Sequence, residues 1–181
     1  TCALPIYVLL IHRPSPLLNY EEIAEAAMQL IKEGKIIEFG VSNFLPQHTN
    51  ALQKHINISY NQVQVSVAQA LAFTNGIMDN CQEHQIKPMA WGCLGGNSFT
   101  KENHECYDSI YNTATQLSKK YNSTVEQIFI AFILQHPSKI LPVIGSTKID
   151  RLIEAQQAYQ IKLEEQDWFL LYESANGKEV D

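Results

Sequence analysis

The sequence predicts an α/β protein in which strands and helices alternate along a parallel sheet. Three observations lead there. The strand candidates are unbroken apolar runs rather than alternations, the pattern of strands covered on both faces. Segments with the 3.6-residue apolar period of a helix separate them. Five such strands recur, spaced roughly 25 to 55 residues apart, which is the rhythm of βα units joined by right-handed crossovers. Two architectures satisfy that order, an open doubly wound sheet and a (β/α)8 barrel. No GxGxxG or GxxxxGK[ST] loop follows any strand, which weighs against the common nucleotide-binding open sheets. A closed barrel needs eight units and about 250 residues, so the five units of this 181-residue chain amount to part of one.

The elements follow in order. Tyr7 to Ile11 (YVLLI) is the first strand, stopped by His12-Arg13-Pro14. Ile23, Ala26, Ala27, Leu30 and Ile31 mark a helix, and Gly34 supplies its left-handed end. Lys35 to Val41 forms the second strand and runs into Ser42-Asn43. Pro46 suits the first turn of a short helix to about Lys54, behind Leu45, a poor N-cap. Ser59 to Val67 is β-prone; a weaker helix, Gly76 to Gln85, leads to the strand Ile86 to Trp91 and the glycine-rich GCLGGNS. Residues 97–107 are polar and read as a loop before a helix from Tyr107 to Tyr121. Ser123 and Glu126 have capping-box spacing, with Val125, Ile128, Phe129, Phe132 and Ile133 as the apolar stripe behind them. Ile140 to Ile144 is the fifth strand, weakened by Pro142. A helix opening at Ile149 and a last one around Trp168, Leu171 and Tyr172 complete the chain.

Composition limits the partners. Hydrophobic residues make up 45% and charged ones 18%, enough for a core and too little charge for disorder. The net charge is −6 and no basic run exists, so nucleic acid and anionic membranes are poor partners. No apolar stretch approaches the roughly 18 residues of a membrane helix, and the opening residues lack a signal-peptide pattern. Cys2, Cys81, Cys93 and Cys106 form no CxxC pair and are expected as free thiols in a reducing cytoplasm. No metal site is expected: His104, Glu105 and Cys106 are adjacent and cannot easily converge, while His48 and His55 lack HExxH spacing.

Five stretches, LLIHRPSPL, GKIIEFGVSNF, NQVQVS, PMAWGCLGG and PVIGSTKIDRL, resemble in sequence and order the aldo-keto reductases, most closely bacterial oxidoreductase-like members. The resemblance covers Tyr7 to Asp181. It implies a partial (β/α)8 TIM barrel, strands four to eight with their helices, with the first three βα units missing. TCALPI at the start resembles the translation of a sequencing adapter, so residues 1–6 are expected to be foreign and residues 7–181 to be the C-terminal part of one barrel domain.

The resemblance also implies a chemistry: hydride transfer from NADPH to an aldehyde or ketone, with no metal. His12 matches the histidine that orients the carbonyl, while the family's tyrosine acid, lysine and aspartate belong to the missing strands. The chain is therefore expected to be inactive alone. Ser42, Asn43 and Gln62 match the residues that bind the nicotinamide carboxamide, and Trp91 the ring that stacks on the nicotinamide. Gly92, Leu94 and Gly95 fall in the loop over the pyrophosphate, where absent side chains admit backbone N–H groups to phosphate oxygens. Ser146, Lys148 and Arg151 open a helix where the family holds the adenosine 2′-phosphate, favouring NADPH over NADH. Gly145 departs from the lysine or arginine common there. Read alone, Asn43 would be a turn former, Gln62 a strand surface residue and GCLGG a flexible turn. A catalytically silent nucleotide-binding barrel, acting as sensor or accessory subunit, and an inert partial barrel are the competing readings.

Overall fold

The computed structural model describes residues 5–177. Five strands, β1 (Ile6–Ile11), β2 (Ile36–Ser42), β3 (Tyr60–Gln64), β4 (Lys87–Trp91) and β5 (Leu141–Pro142), form one sheet in the order β1-β2-β3-β4-β5. Every pairing is parallel. That order decides between the two architectures. A doubly wound sheet must reverse direction, so that helices cover both faces. Here each strand is added on the same side of the last, and right-handed crossovers in one direction place all the helices on one face. The sheet is an arc of a (β/α)8 barrel, with helices outside and a concave inner face.

Seven helices cover the outer face: α1 (Tyr20–Lys32), α2 (Pro46–Leu52), α3 (Ile77–Glu83), α4 (Tyr107–Lys120), α5 (Val125–Leu134), α6 (Ile149–Gln157) and α7 (Glu165–Asn176). Alternate strand residues Phe39, Val41, Val63 and Ala90, with Val65 just past β3, turn outward into the main core, where they join Leu52, Met78, Ile128, Phe132 and Leu171. In β3 that leaves half-buried Gln62 and Gln64 on the other side of buried Val63. Period two thus sorts this strand into a helix-packing face and an inner, polar one. Gly40 is required by contact: a Cβ there would lie 2.7 Å from both Leu10 Cδ2 and the carbonyl oxygen of Tyr60.

Helix boundaries follow capping chemistry. Asn19 caps α1 by accepting from the N–H groups of Glu21 and Glu22, and Gly34 beyond its end has φ +68°. Leu45 has no side-chain acceptor to offer α2; instead His48 Nδ1 accepts the Leu45 N–H at 3.3 Å. The capping box of α5 is one residue later than the expected Ser123 and Glu126. Thr124 Oγ1 accepts the Gln127 N–H at 3.2 Å, and Gln127 Oε1 accepts the Thr124 N–H at 3.0 Å. The stripe on α5 is also broader than expected, because Ile130 on its other side packs against Ala155 and Ala158.

Three further differences have local causes. β5 shrinks to two paired residues, since Pro142 has no N–H, although the Val143 N–H still reaches Ala90 O at 2.9 Å. β3 ends at Gln64, and a single 3-10 turn, Leu71–Phe73, follows it. Residues 97–106 are irregular but packed: Phe99 meets Phe129 edge-on with ring centres 5.9 Å apart, and His104 Nε2 lies 3.2 Å from Ala68 O. Of the residues expected to be foreign, 1–4 lie outside the described ones; Ile6 pairs with Ile36 and donates to Lys35 O at 2.9 Å.

Candidate functional site

Because the strands are parallel, their C-terminal ends share one rim, the face on which barrels carry their chemistry. His12 follows β1, Ser42 and Asn43 close β2, Gln62 and Gln64 end β3, Trp91 ends β4, and Ser146 lies just beyond β5. The register places Ser42 beside Gln62 and Gln64 beside Trp91.

A chain of hydrogen bonds ties four of these strand ends together. Ser42 Oγ donates to Gln62 O at 2.8 Å, and the Asn43 N–H donates to the same carbonyl at 2.8 Å. Asn43 Nδ2 donates to Ser42 Oγ at 3.0 Å and to His12 O at 3.3 Å. Trp91 Nε1–H donates to Asn43 Oδ1 at 3.1 Å. Asn43 can occupy this junction because it adopts φ +60°, a conformation asparagine tolerates better than most side chains. Both its amide hydrogens are thereby spent on protein, leaving one lone pair of Oδ1 for a ligand. Gln62 makes no side-chain hydrogen bond to a described residue, so its amide is free, and the ring of exposed His12 likewise has none.

Beyond Trp91 a cavity of about 560 Å³ opens, within the range of small-molecule sites. Trp91, Gly92, Leu94 and Gly96 form one wall; Ser146 and Arg151 stand on the other. The glycine turn is held by one internal bond, Gly95 N–H to Gly92 O at 2.8 Å. Gly92, Gly95 and Gly96 all have positive φ, at +65°, +98° and +68°. Gly95 serves the turn rather than the cavity wall, for a Cβ there would lie 2.4 Å from that of Phe99. Across the cavity, Ser146 Oγ accepts the Lys148 N–H at 3.2 Å, and Lys148 occupies the N-cap position of α6 with an exposed side chain outside the wall. Arg151, one turn into α6, does reach the wall. The chemistry is that of an anion cradle: free turn geometry, a guanidinium, a hydroxyl and a helix N-terminus. Two carboxylates, Glu126 and Glu154, share the cavity, so it is not uniformly cationic. Burial pushes the thiol of Cys93, which also lines it, above its ordinary pKa.

The cavity thus has a flat indole at one end and a guanidinium, a hydroxyl and a helix start at the other. The sequence model of the Aldo/keto reductase family matches residues 5–175. The chain belongs to that family. Among curated relatives, it is 37% identical to the 6-dehydroglucose reductase of Agrobacterium fabrum over 175 residues, which is 96% of this chain and 58% of that protein. It is 35% identical to oxidoreductase YdhF of Escherichia coli over 176 residues, again 96% of this chain and 58% of the relative. The chain thus spans well under two thirds of the length of these relatives. Among solved structures, the thermostable aldo-keto reductase Tm1743, crystallised with the inhibitor epalrestat, superposes with a TM-score of 0.84 at 23% identity, covering 94% of this chain and 60% of that one. An aldo-keto reductase from Klebsiella pneumoniae in complex with NADPH superposes with a TM-score of 0.80, covering 93% and 58%. These establish the aldo/keto reductase barrel for the arc.

Within this family fold, the rim gathers His12, Ser42, Asn43, Gln62 and Trp91, and the cavity gathers Trp91, Gly92, Leu94, Ser146 and Arg151. Gly95 and Lys148 stand behind that wall. Gly96, Glu126 and Glu154 line it without having been anticipated; Gly96 adjoins the expected glycines, whereas the carboxylates come from helix positions that carry no motif. No group of three or more His, Cys, Asp or Glu side chains able to hold a metal occurs among the described residues. No helix among them is long and apolar enough to cross a membrane.

Proposed function

We propose that the protein containing this chain is an NADPH-dependent reductase of aldehydes or ketones, and that this arc supplies its dinucleotide site. The observation that carries the reading is the continuity of Trp91. Its indole N–H is locked onto Asn43 at 3.1 Å, while the same side chain forms the near wall of the cavity that ends at Ser146 and Arg151. A bound reduced nicotinamide supplies hydride to a carbonyl carbon.

The chain's own residues have separable tasks. Trp91, held against rotation, offers a flat apolar surface for a ring. Gln62 presents a free amide, and Asn43 one remaining acceptor, where a carboxamide needs both donors and acceptors. Gly92 and Leu94 bound the pyrophosphate segment; Ser146 and Arg151 receive the 2′-phosphate, with exposed Lys148 adding charge from the helix start. His12, at the tip of β1, donates to a carbonyl oxygen from the rim. The acid that protonates the alkoxide is assigned to residues outside this chain, so the arc alone binds without turnover. The cytoplasm is the proposed compartment, because Cys81, Cys93 and Cys106 are unpaired thiols. The partner is a small carbonyl compound.

Fluorescence titration of the whole protein with NADPH and NADH tests this, together with nicotinamide oxidation in the presence of an aldehyde panel. Quenching by NADPH, preference for it over NADH, and a roughly tenfold loss of that preference in Arg151→Ala are expected from a lost charge-assisted phosphate contact. Tight binding without turnover of any carbonyl would favour the accessory-subunit reading. Absence of binding to either nucleotide would overturn the proposal.

A further inference from the structure

Gln64 takes no part in the assignments above, yet it stands at their centre. It pairs with Trp91 in the register of β3 and β4, one step nearer the rim than Gln62, and lies on the same inner side of the strand as Gln62. Its amide nitrogen is what a side chain would first meet, chain neighbours aside, on two glycines of the turn beyond Trp91. A Cβ on Gly92 would lie 3.7 Å from Gln64 Nε2, and one on Gly96 would lie 3.8 Å from it. Both glycines have positive φ, so the chain passes over the amide twice without placing a side chain on it. Neither end of that amide hydrogen-bonds to a described residue. A neutral amide with two donors, left uncovered beneath a glycine turn, is suited to an anionic oxygen; a carboxylate of the same shape would repel one.

We infer that Gln64 is a dinucleotide-binding residue, its side-chain amide donating to the phosphate of the nicotinamide half from beneath the Gly92–Gly96 turn. This rests on the reading of the rim as an NADPH site and adds a polar contact between the two ends already described. Gln62 and Gln64 then divide the work by height: the lower amide serves the ring, the upper one the phosphate. The adenosine end, at Ser146 and Arg151, lies across the cavity and is independent of it.

Half-ligands test the inference. The whole protein, Gln64→Ala and Gln64→Glu are titrated with reduced nicotinamide mononucleotide, with 2′,5′-ADP and with NADPH, and their thermal midpoints are compared. Gln64→Ala is expected to weaken the mononucleotide and NADPH about tenfold, the loss of one hydrogen bond to a charged group. Its affinity for 2′,5′-ADP and its thermal midpoint stay at the wild-type values. Gln64→Glu weakens the mononucleotide further at about pH 8, and its deficit relative to wild type shrinks toward about pH 4.5 as the introduced carboxyl gains a proton. Wild-type mononucleotide affinity in Gln64→Ala overturns the inference while leaving the NADPH site intact. Equal losses for both half-ligands overturn it too, because the amide would then merely support the turn. Failure of wild type to bind either half-ligand removes the NADPH reading itself, and the inference with it.

Discussion

Replacing Gly95 by alanine tests how the cavity wall is held. The added Cβ would lie 2.4, 2.6 and 2.8 Å from Phe99 Cβ, Cγ and Cδ1, and the residue has φ +98°. The first two atoms are the root of the ring rather than a flexible tip, so Phe99 must leave as a whole. That ring contacts His104, Tyr107 and Phe129, at centroid separations of 5.3, 4.9 and 5.9 Å. Expelling a packed phenylalanine costs up to about 3–5 kcal/mol, judged from truncations of such side chains. The backbone conformation adds about 1–2 kcal/mol for any residue with a Cβ. A cost near 4 kcal/mol is comparable with the whole stability of a marginal domain, commonly about 5–15 kcal/mol. Residues 93–106 are an irregular segment, so part of the strain is expected to be relieved by undocking that segment rather than by global unfolding. Urea denaturation should show Gly95→Ala destabilised by about 2–4 kcal/mol, and NADPH titration should show weakened binding. Gly145→Ala is the control: a Cβ there meets nothing within 4 Å, and its φ is not positive, so stability should change by less than about 1 kcal/mol. Equal unfolding midpoints for Gly95→Ala and wild type would refute the argument.

Two predictions concern the outer shell. Asp167 joins α7 to α4 by accepting from Lys120 Nζ at 2.8 Å and from the Tyr121 hydroxyl. Burial alone would raise its carboxyl, but the hydrogen bonds from Lys120 and Tyr121 prevail and hold it below the ordinary value. A depressed folded-state pKa gives stability that is present above the unfolded value, about 3.9, and lost as pH falls through the folded one. Asp167→Asn should therefore cost about 1–2 kcal/mol at neutral pH and progressively less below about pH 4, in paired urea curves. A deficit unchanged by acid would contradict this. Thr124→Ala should cost about 1 kcal/mol by removing the cap of α5, while Ser123→Ala, whose hydroxyl is buried without a partner, should not destabilise; reversed effects would return the cap to Ser123.

The fold was readable because β-prone apolar runs alternate with helical stripes along the chain, and helix ends carry Pro46 and Gly34 at positions of fixed meaning. The strands nonetheless proved buried mainly on the helix-packing side. The α5 cap was ambiguous for a definite reason. Ser-Thr-Val-Glu-Gln, residues 123–127, contains both Ser123 with Glu126 and Thr124 with Gln127, two overlapping boxes in front of one apolar stripe. Hydrophobic periodicity cannot choose between frames that bury the same residues. In the site, residue identities at strand ends were legible, whereas their mutual bonds were not. The Trp91–Asn43 contact joins residues 48 apart in sequence, and the clash that makes Gly95 obligatory depends on where Phe99 folds back. Gln64 was visible as the second glutamine of the alternation in NQVQV, but alternation alone assigns a face and not a ligand.

Topology explains why five strands suffice to build this site. A sheet that adds every strand on one side carries all its strand tips along one continuous edge, so neighbours in sequence become neighbours on the rim. The groups proposed to face the carboxamide, the ring and the phosphates lie on β2, β3, β4 and the turn after β5, all within that unbroken series. A doubly wound sheet of the same strands would bring its ligand to the single point of reversal, and the strand tips from β2 to β5 would not form one series. The flanks show the converse. β1 pairs only with β2 and β5 only with β4 among the described residues, and Ile149, Leu152 and Ile153 of α6 are exposed at 72%, 41% and 48%. Unpaired edges and bare apolar side chains of this kind invite further strand–helix units or self-association. The proposed dinucleotide cradle is internal to the arc, whereas His12 follows β1, the strand at its edge.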